Sequence, residues 1–199
     1  MEYEIAALVR DCHHHHPGIT LSLRPMSAAD VTQAVTTGQA DIGLTLVTDP
    51  AHQPPTPGLH RQTLFELPLV PIGDARPTPP GHHPAIENVL VVDPACTTHT
   101  ALLHHLRTTY GLETPTLQAG SAHGAIGLAK AGLGVAMLPE KALTETTHTG
   151  TTTLIPWLPR TTTHVQALWN AATHPTPATT TLLHLLRHTT HTHQTPTAA

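Results

Sequence analysis

The sequence predicts an α/β fold divided into two lobes. Strand-like and helix-like segments alternate along its 199 residues in two separate series, and Pro-rich extended stretches lie between the series. Alternation of this kind favours parallel sheets covered by helices, and two series favour two lobes joined by two crossover segments. We expect lobe I to comprise 1–72 and 170–188 and lobe II to comprise 73–169. The polar, compositionally biased tail, 189–199, is expected to be disordered.

The first series is predicted to run helix, strand, helix, strand. Apolar residues recur at helical spacing over 5–12, and apolar and polar residues alternate over 19–23, which is typical of a strand. Ser27 is followed three residues later by Asp30, as in a capping box that opens a helix. The near-continuous apolar run 41–47 is typical of a strand buried on both faces of a parallel sheet.

The second series repeats this order. Strands are predicted at 89–92, 116–118 and 134–138, and helices at 98–110 and 121–131. The other predicted segments are extended pieces at 64–67, 69–72, 154–157 and 164–169 and a final helix at 179–188.

Composition excludes several classes of function. The net charge is -4, and no run of basic residues is long enough to follow a phosphate backbone, so we do not expect this chain to bind nucleic acid by itself. The two cysteines, Cys12 and Cys96, form no metal or disulfide pattern, which favours a reducing, cytoplasmic setting. The N-terminus is acidic, unlike a secretory signal, and no stretch approaches the roughly 20 apolar residues of a membrane span.

Three short motifs occur in order along the chain. They are His16-Pro17-Gly18-Ile19-Thr20-Leu21, then Val35 to Leu44 with its Gly38 and Asp41, and then Lys130-Ala131-Gly132-Leu133-Gly134-Val135-Ala136-Met137-Leu138-Pro139. Together they resemble the effector (substrate)-binding domain of LysR-type transcriptional regulators, from about Glu4 to about Arg187. The third motif is the most specific of the three.

This resemblance implies a two-lobed, periplasmic-binding-protein-like (type 2) fold that binds a small-molecule effector and catalyses no reaction. It also implies a homodimer. Family members begin with a winged helix-turn-helix, and their effector domain begins with a strand ahead of the first helix. We expect this chain to lack both, to contact no DNA itself, and to leave a sheet edge exposed.

The resemblance and the predicted helix N-termini together indicate the candidate effector site. Free amides and the positive end of a helix favour anionic ligands, so an anionic effector is expected. The candidate ligand-binding residues are Ser27, Cys96, Thr97, Thr98, His99 and Ser121. Four of them also have a plainer interpretation: the two serines as helix caps, His99 as a surface residue, and Cys96 as a small residue rather than a thiol sensor.

Other functions find less support in the sequence. The nineteen histidines suggest metal binding, but adjacent histidines on a helix point about 100° apart and share no face. Gly132-Leu133-Gly134 lacks the spacing of a dinucleotide-binding loop, and no residues converge as a nucleophile, acid or base. We therefore expect that this chain is not an enzyme and that it binds no cofactor and no metal. A non-functional truncated remnant of such a regulator and a transporter-type solute-binding protein are the alternative hypotheses.

Overall fold

The computed structural model describes residues 2–73, 86–94, 97–144 and 153–188. Helices and strands alternate through these ranges, which confirms the α/β class. The elements in chain order are α1 (Glu2–His15), α2 (Ala28–Thr36), β1 (Gly43–Val47), β2 (Leu59–Gly73), β3 (Val89–Val91), a 3-10 turn (Thr97–His99), α3 (Thr100–Tyr110), β4 (Thr116–Gln118), α4 (Ala122–Lys130), β5 (Val135–Pro139), α5 (Glu140–Thr144), β6 (Thr153–Leu154), β7 (Thr161–Asn170) and α6 (Pro177–His188).

The chain divides into two compact units. Unit 1 comprises Met1–Glu66 and His164–Ala199, and unit 2 comprises Leu67–Thr163. Strands β2 and β7 each begin in one unit and end in the other. The predicted tail, 189–199, lies outside the described residues. Within the described ranges, no helix has the length and apolar character needed to cross a membrane.

Unit 1 contains a sheet with helices on both of its faces. β1 pairs antiparallel with β7, which also neighbours β2. On one face, Leu8 of α1, Ala167 of β7 and Leu183 of α6 are buried together. α2 covers the other face. The contact that shows this joins Gly43 of β1 and Val31 of α2: a Cβ added at Gly43 would lie 2.4 Å from the Val31 side chain.

Two predictions for unit 1 are wrong. Residues 19–23 form no strand in the structure, although apolar and polar residues alternate there. Alternation creates two faces, but a strand also needs a neighbouring backbone to bond with, and no described residue pairs with this segment. β1 pairs with an antiparallel rather than a parallel neighbour, and its burial alternates along the strand.

Unit 2 contains the parallel part of the fold. β3 pairs in parallel with both β4 and β5, and β2 pairs antiparallel with β5 on one edge and β6 on the other. α4 packs its small and apolar face, Ala125, Ile126 and Ala129, into a buried cluster with these strands. The predicted second series is therefore confirmed as a parallel strand-and-helix arrangement.

Prolines do not interrupt β2. Two short pieces were predicted on either side of Pro68, yet the structure has a single strand from Leu59 to Gly73. Pro71 lies opposite Met137 of β5, and the Pro71 carbonyl accepts a hydrogen bond from the Ile155 amide at 3.1 Å. Proline lacks an N–H but keeps its carbonyl, so the strand continues wherever only that acceptor is needed.

Candidate functional site

The loops that follow β3 and β4 begin side by side in unit 2. Val91 at the end of β3 lies opposite Gln118 at the end of β4, and the Ala119 amide donates to the Val91 carbonyl at 2.8 Å. Carboxyl ends of neighbouring parallel strands meet at one edge of a sheet, where helix N-termini supply uncommitted amides. The structure thus brings the loop before α3 and the loop before α4 to the same edge.

Ser121 is the N-cap of α4, as its position in the sequence predicted. Its Oγ accepts a hydrogen bond from the Gly124 amide at 3.0 Å, and the side chain is half-buried. A Cβ at Gly124 would lie 2.3 Å from the Ala119 carbonyl oxygen, so glycine is required for the loop to close over this turn. The cap leaves the two preceding amides of the first turn, on Ala122 and His123, directed out of the helix end.

The residues before α3 form a 3-10 turn that contacts β3 and β5. Thr97 begins this turn, and Thr98 and His99 are half-buried in it. His99 is also the N-cap of α3, with backbone φ -83° and ψ -18° and no side-chain capping bond. Cys96, the remaining candidate in this loop, lies outside the described residues.

Burial controls the protonation of His99. Loss of water around the ring lowers the pKa of His99 below its ordinary value, and the negative charge of Asp93 opposes that effect in part. The neutral imidazole is therefore favoured, with one nitrogen that donates and one that accepts a hydrogen bond. A neutral His99 can bind a polar ligand without adding a full charge to the site.

Ser27 is the candidate residue of unit 1, and it caps α2. Its Oγ accepts from the Asp30 amide at 3.2 Å and donates to Oδ2 of Asp30 at 2.7 Å. The predicted capping role is confirmed, and the hydroxyl is engaged on both sides by Asp30. Ser27 belongs to unit 1, whereas Thr97, Thr98, His99 and Ser121 belong to unit 2.

Sequence reasoning missed a buried polar pair on the sheet of unit 1. Gln166 of β7 is only 4% exposed, and it lies opposite Thr45 of β1, which is 9% exposed. Among the described residues, Oε1 of Gln166 and Nδ1 of His164 are buried atoms without a hydrogen-bond partner. The available signal was the position of Gln166 in the sequence, between Val165 and the apolar run Ala167-Leu168-Trp169.

A shallow cavity of about 370 Å³ also opens on unit 1. Its walls include His60 and Trp169, whose rings lie 5.5 Å apart, and the turn 171–175. All five turn residues are exposed, so this cavity encloses a ligand poorly.

In the part of the chain that the structure describes, no group of three or more His, Cys, Asp or Glu side chains could hold a metal ion.

Solved structures with a similar fold are regulatory proteins. The sulfate-bound regulatory domain of an OxyR2 mutant from Vibrio vulnificus superposes with a TM-score of 0.72 at 13% identity, covering 94% of this chain and 89% of that domain. The Synechocystis PCC6803 CcmR regulatory domain in complex with 2-PG gives 0.67 at 20% identity, covering 95% and 92%. Full-length LysG from Corynebacterium glutamicum with bound effector Arg gives 0.69 at 17% identity, covering 92% of this chain and 62% of that protein.

The family model provides the assignment. No curated protein sequence matches the chain significantly. The model of the LysR substrate binding domain matches residues 2–190, nearly the whole length, and domains of this family have the periplasmic-binding-protein-like type 2 fold. The chain therefore belongs to the LysR substrate binding domain family, whose members are parts of transcription regulators.

Proposed function

We propose that this domain is a non-catalytic sensor that binds a small anionic organic effector. The observation that carries the proposal is the edge of unit 2 where β3 and β4 end side by side and the N-terminal ends of α3 and α4 begin. Helix N-termini attract negative charge through the aligned peptide dipoles and the unbonded amides of the first turn. The proposed effector contacts are Ser27, Cys96, Thr97, Thr98, His99 and Ser121.

Ligands of similar structures support an effector role. The OxyR2 structure holds sulfate, the CcmR domain holds 2-PG and LysG holds arginine as its effector. These ligands differ in chemistry, so they support binding of small polar molecules in general. The choice of an anion for this chain rests on the helix ends of unit 2.

Isothermal titration tests the proposal directly. The folded chain is titrated with a panel of carboxylates and phosphate esters, and with their neutral amides as matched ligands. We expect saturable binding of at least one anion and at least about tenfold weaker binding of its neutral amide, because the helix ends contribute only to the charged form. Equal binding of an anion and its amide, or no binding by any ligand, would contradict the proposal.

A negative charge at the N-cap of α4 tests whether the start of this helix binds the anion. Ser121→Asp keeps an N-cap acceptor but places a negative charge at the start of α4, so we expect about a tenfold or greater loss of anion affinity with little change in stability. Thr176→Asp is the matched control, because Thr176 caps α6 through a hydrogen bond from the Thr179 amide at 3.1 Å. Similar losses in both variants would show a non-specific charge effect and would remove Ser121 from the site.

The domain is further proposed to form a homodimer in the cytoplasm. Cys12 is buried and free, which is consistent with a reducing compartment. Contact with DNA is assigned to a winged helix-turn-helix, as in the family, and not to this chain. Light scattering during gel filtration should give twice the chain mass of 21.2 kDa, and a mass of one chain at all concentrations would refute the dimer.

A further inference from the structure

His99 lies at the strand edge of unit 2 where the anionic effector is proposed to bind. It is the N-cap of α3, and its side chain makes no capping hydrogen bond. The 3-10 turn that contains it contacts β3 and β5, and the side chain is half-buried there. An anion held by the free amides in the first turn of α3 is therefore a close neighbour of His99.

The imidazole of His99 is neutral at neutral pH while the site is empty. Burial removes water from the ring and lowers the pKa of His99, and Asp93 in the same loop opposes this effect only in part. The positive end of the α3 dipole acts in the same direction as burial, because it repels an imidazolium. The loop before α3 therefore carries the negative charge of Asp93 without a positive charge on His99.

A bound anion changes the balance at His99. Its negative charge attracts an imidazolium and offsets the positive end of α3, so protonation of His99 becomes more favourable. A protonated His99 in turn offsets the repulsion between the anion and Asp93. Linkage makes the two effects equal: the factor by which the anion raises the proton affinity is the factor by which the proton raises the anion affinity.

Several other charged or titratable side chains lie around this turn. β3 and β5, on which the turn packs, contain none of them. Those on the other elements are His104, His105, Arg107 and Tyr110 on α3, His123 and Lys130 on α4, Glu140 and Lys141 on α5, and Arg160. Those on α3 and α4, except His123, lie beyond the first turn of their helix and so away from the bound anion.

The groups that remain at this edge of the sheet respond less than His99. Glu140 and Arg160 form an exposed ion pair at 3.1 Å, so their charges offset each other. Lys141 and His123 are exposed, and water screens their charges. His99 is half-buried, and histidine is the side chain whose charge changes near neutral pH. His99 is therefore the side chain best placed to take up a proton.

We propose that His99 couples effector binding to proton uptake, so that the domain binds its anion more tightly as the pH falls. This inference rests on the proposed anion-binding function, and it involves residues of unit 2 alone. His99 is neutral in the empty site and takes a proton from solvent when the anion binds. The domain thus responds to the effector and to acidification together.

Isothermal titration at several pH values tests the inference. The folded chain is titrated with sulfate, with benzoate and with each carboxylate of the panel that binds, at pH 6, 7 and 8 and in buffers of different ionisation enthalpy. Sulfate and benzoate keep a constant charge over this range. We expect about fivefold or more tighter binding at pH 6 than at pH 8, which corresponds to uptake of about one third of a proton or more per anion.

Substitutions identify the group that takes up the proton. His99→Gln should abolish the proton uptake and leave an affinity that changes less than about twofold between pH 6 and pH 8. His104→Gln is the matched control, because His104 is exposed and lies in the second turn of the same helix, and it should keep both effects. Uptake that survives His99→Gln, or that is lost in His123→Gln, overturns the inference.

A second measurement does not depend on how the variants fold. NMR titration of the His99 ring in the parent chain gives its pKa without an anion and with a saturating concentration of any anion that binds. We expect the anion to raise the pKa of His99. An unchanged or lower pKa in the occupied site, or binding without proton uptake, overturns the inference and leaves anion binding intact. Failure of sulfate, benzoate and the wider anion panel to bind overturns both proposals.

Discussion

Two glycines fix the turn between α4 and β5. Gly132 has φ 76° and ends the helix, and Gly134 has φ 155°, where a Cβ would lie 2.3 Å from the Asn88 carbonyl oxygen. That carbonyl accepts from the Val135 amide at 2.9 Å, while Nδ2 of Asn88 donates to the Leu133 carbonyl at 2.8 Å. The close approach holds the starts of β3 and β5 together, and the candidate site lies at the other end of β3.

Alanine at the second of these glycines should destabilise the domain. We expect Gly134→Ala to lower the free energy of unfolding by about 2–3 kcal/mol, because the added Cβ meets backbone and the φ angle is strained. Urea denaturation followed by circular dichroism measures the change. Gly127→Ala is the control: no atom lies within 4 Å of its added Cβ, so helix propensity should raise stability by about 0.5–1 kcal/mol. A loss of stability in both variants would contradict this account.

His99 should make stability depend on pH. Burial holds the pKa of His99 below its unfolded value of about 6.5, so the unfolded chain binds more protons in this range. The contribution of His99 is therefore complete above about pH 6.5 and is lost as the pH falls through the folded pKa. We expect the melting temperature of the parent, relative to His99→Gln, to decrease between pH 7.5 and pH 5.5. A constant difference over this range would show that His99 is not desolvated.

At the scale of elements, helix starts and strands differ in what determines them. Ser27 and Ser121 each accept a hydrogen bond from an amide three residues ahead, so these helix starts depend only on local sequence. The segment 19–23 has the alternation of a strand, but its bonding partner would have to come from elsewhere in the chain. Its Leu23 is 60% exposed as a result.

A lysine at Leu23 should therefore be tolerated. We expect Leu23→Lys to change the free energy of unfolding by less than about 0.5 kcal/mol, because the side chain is already largely in water. Leu44→Lys in β1, which packs against the buried cluster of unit 1, should cost about 2 kcal/mol or more. Chemical denaturation of the two variants measures both values. A large cost at Leu23 would mean that this segment packs as the predicted strand.

At the scale of the whole molecule, histidine dominates the charge balance. The formal net charge is -4 with neutral histidines, and the nineteen histidines can together add nineteen positive charges as they protonate. The sequence pI is about 6.5, so partial protonation of the histidines takes the net charge through zero near that pH. The net charge therefore changes sign and grows over a narrow pH range.

Solubility should follow this change of sign. We expect a minimum near pH 6.5, where repulsion between molecules vanishes, and higher solubility at pH 8 and at pH 5.5. Light scattering of concentrated samples between pH 5.5 and pH 8 measures how solubility depends on pH. Replacing His13, His14, His15 and His16 by glutamine removes four titrating groups and should move the minimum to lower pH. An unchanged minimum would assign the behaviour to something other than net charge.

The sequence alone determined the α/β class, the order of the second series and the two helix caps. These features depend on periodicity and on hydrogen bonds within three or four residues. The family motifs extended the prediction from the α/β class to the periplasmic-binding-protein-like (type 2) fold. All of this information is contained in short stretches of chain.

Only the tertiary structure decided which strands pair and which polar groups lack a partner. The antiparallel pairing of β1 with β7 joins residues more than a hundred positions apart, and the missing strand at 19–23 reflects a partner that no local pattern supplies. In the sequence Gln166 is an ordinary strand residue, and only the fold places Thr45 opposite it and leaves its Oε1 without a hydrogen-bond partner among the described residues. Backbone pairing and the satisfaction of buried polar atoms are non-local properties, so they exist only once the chain has folded.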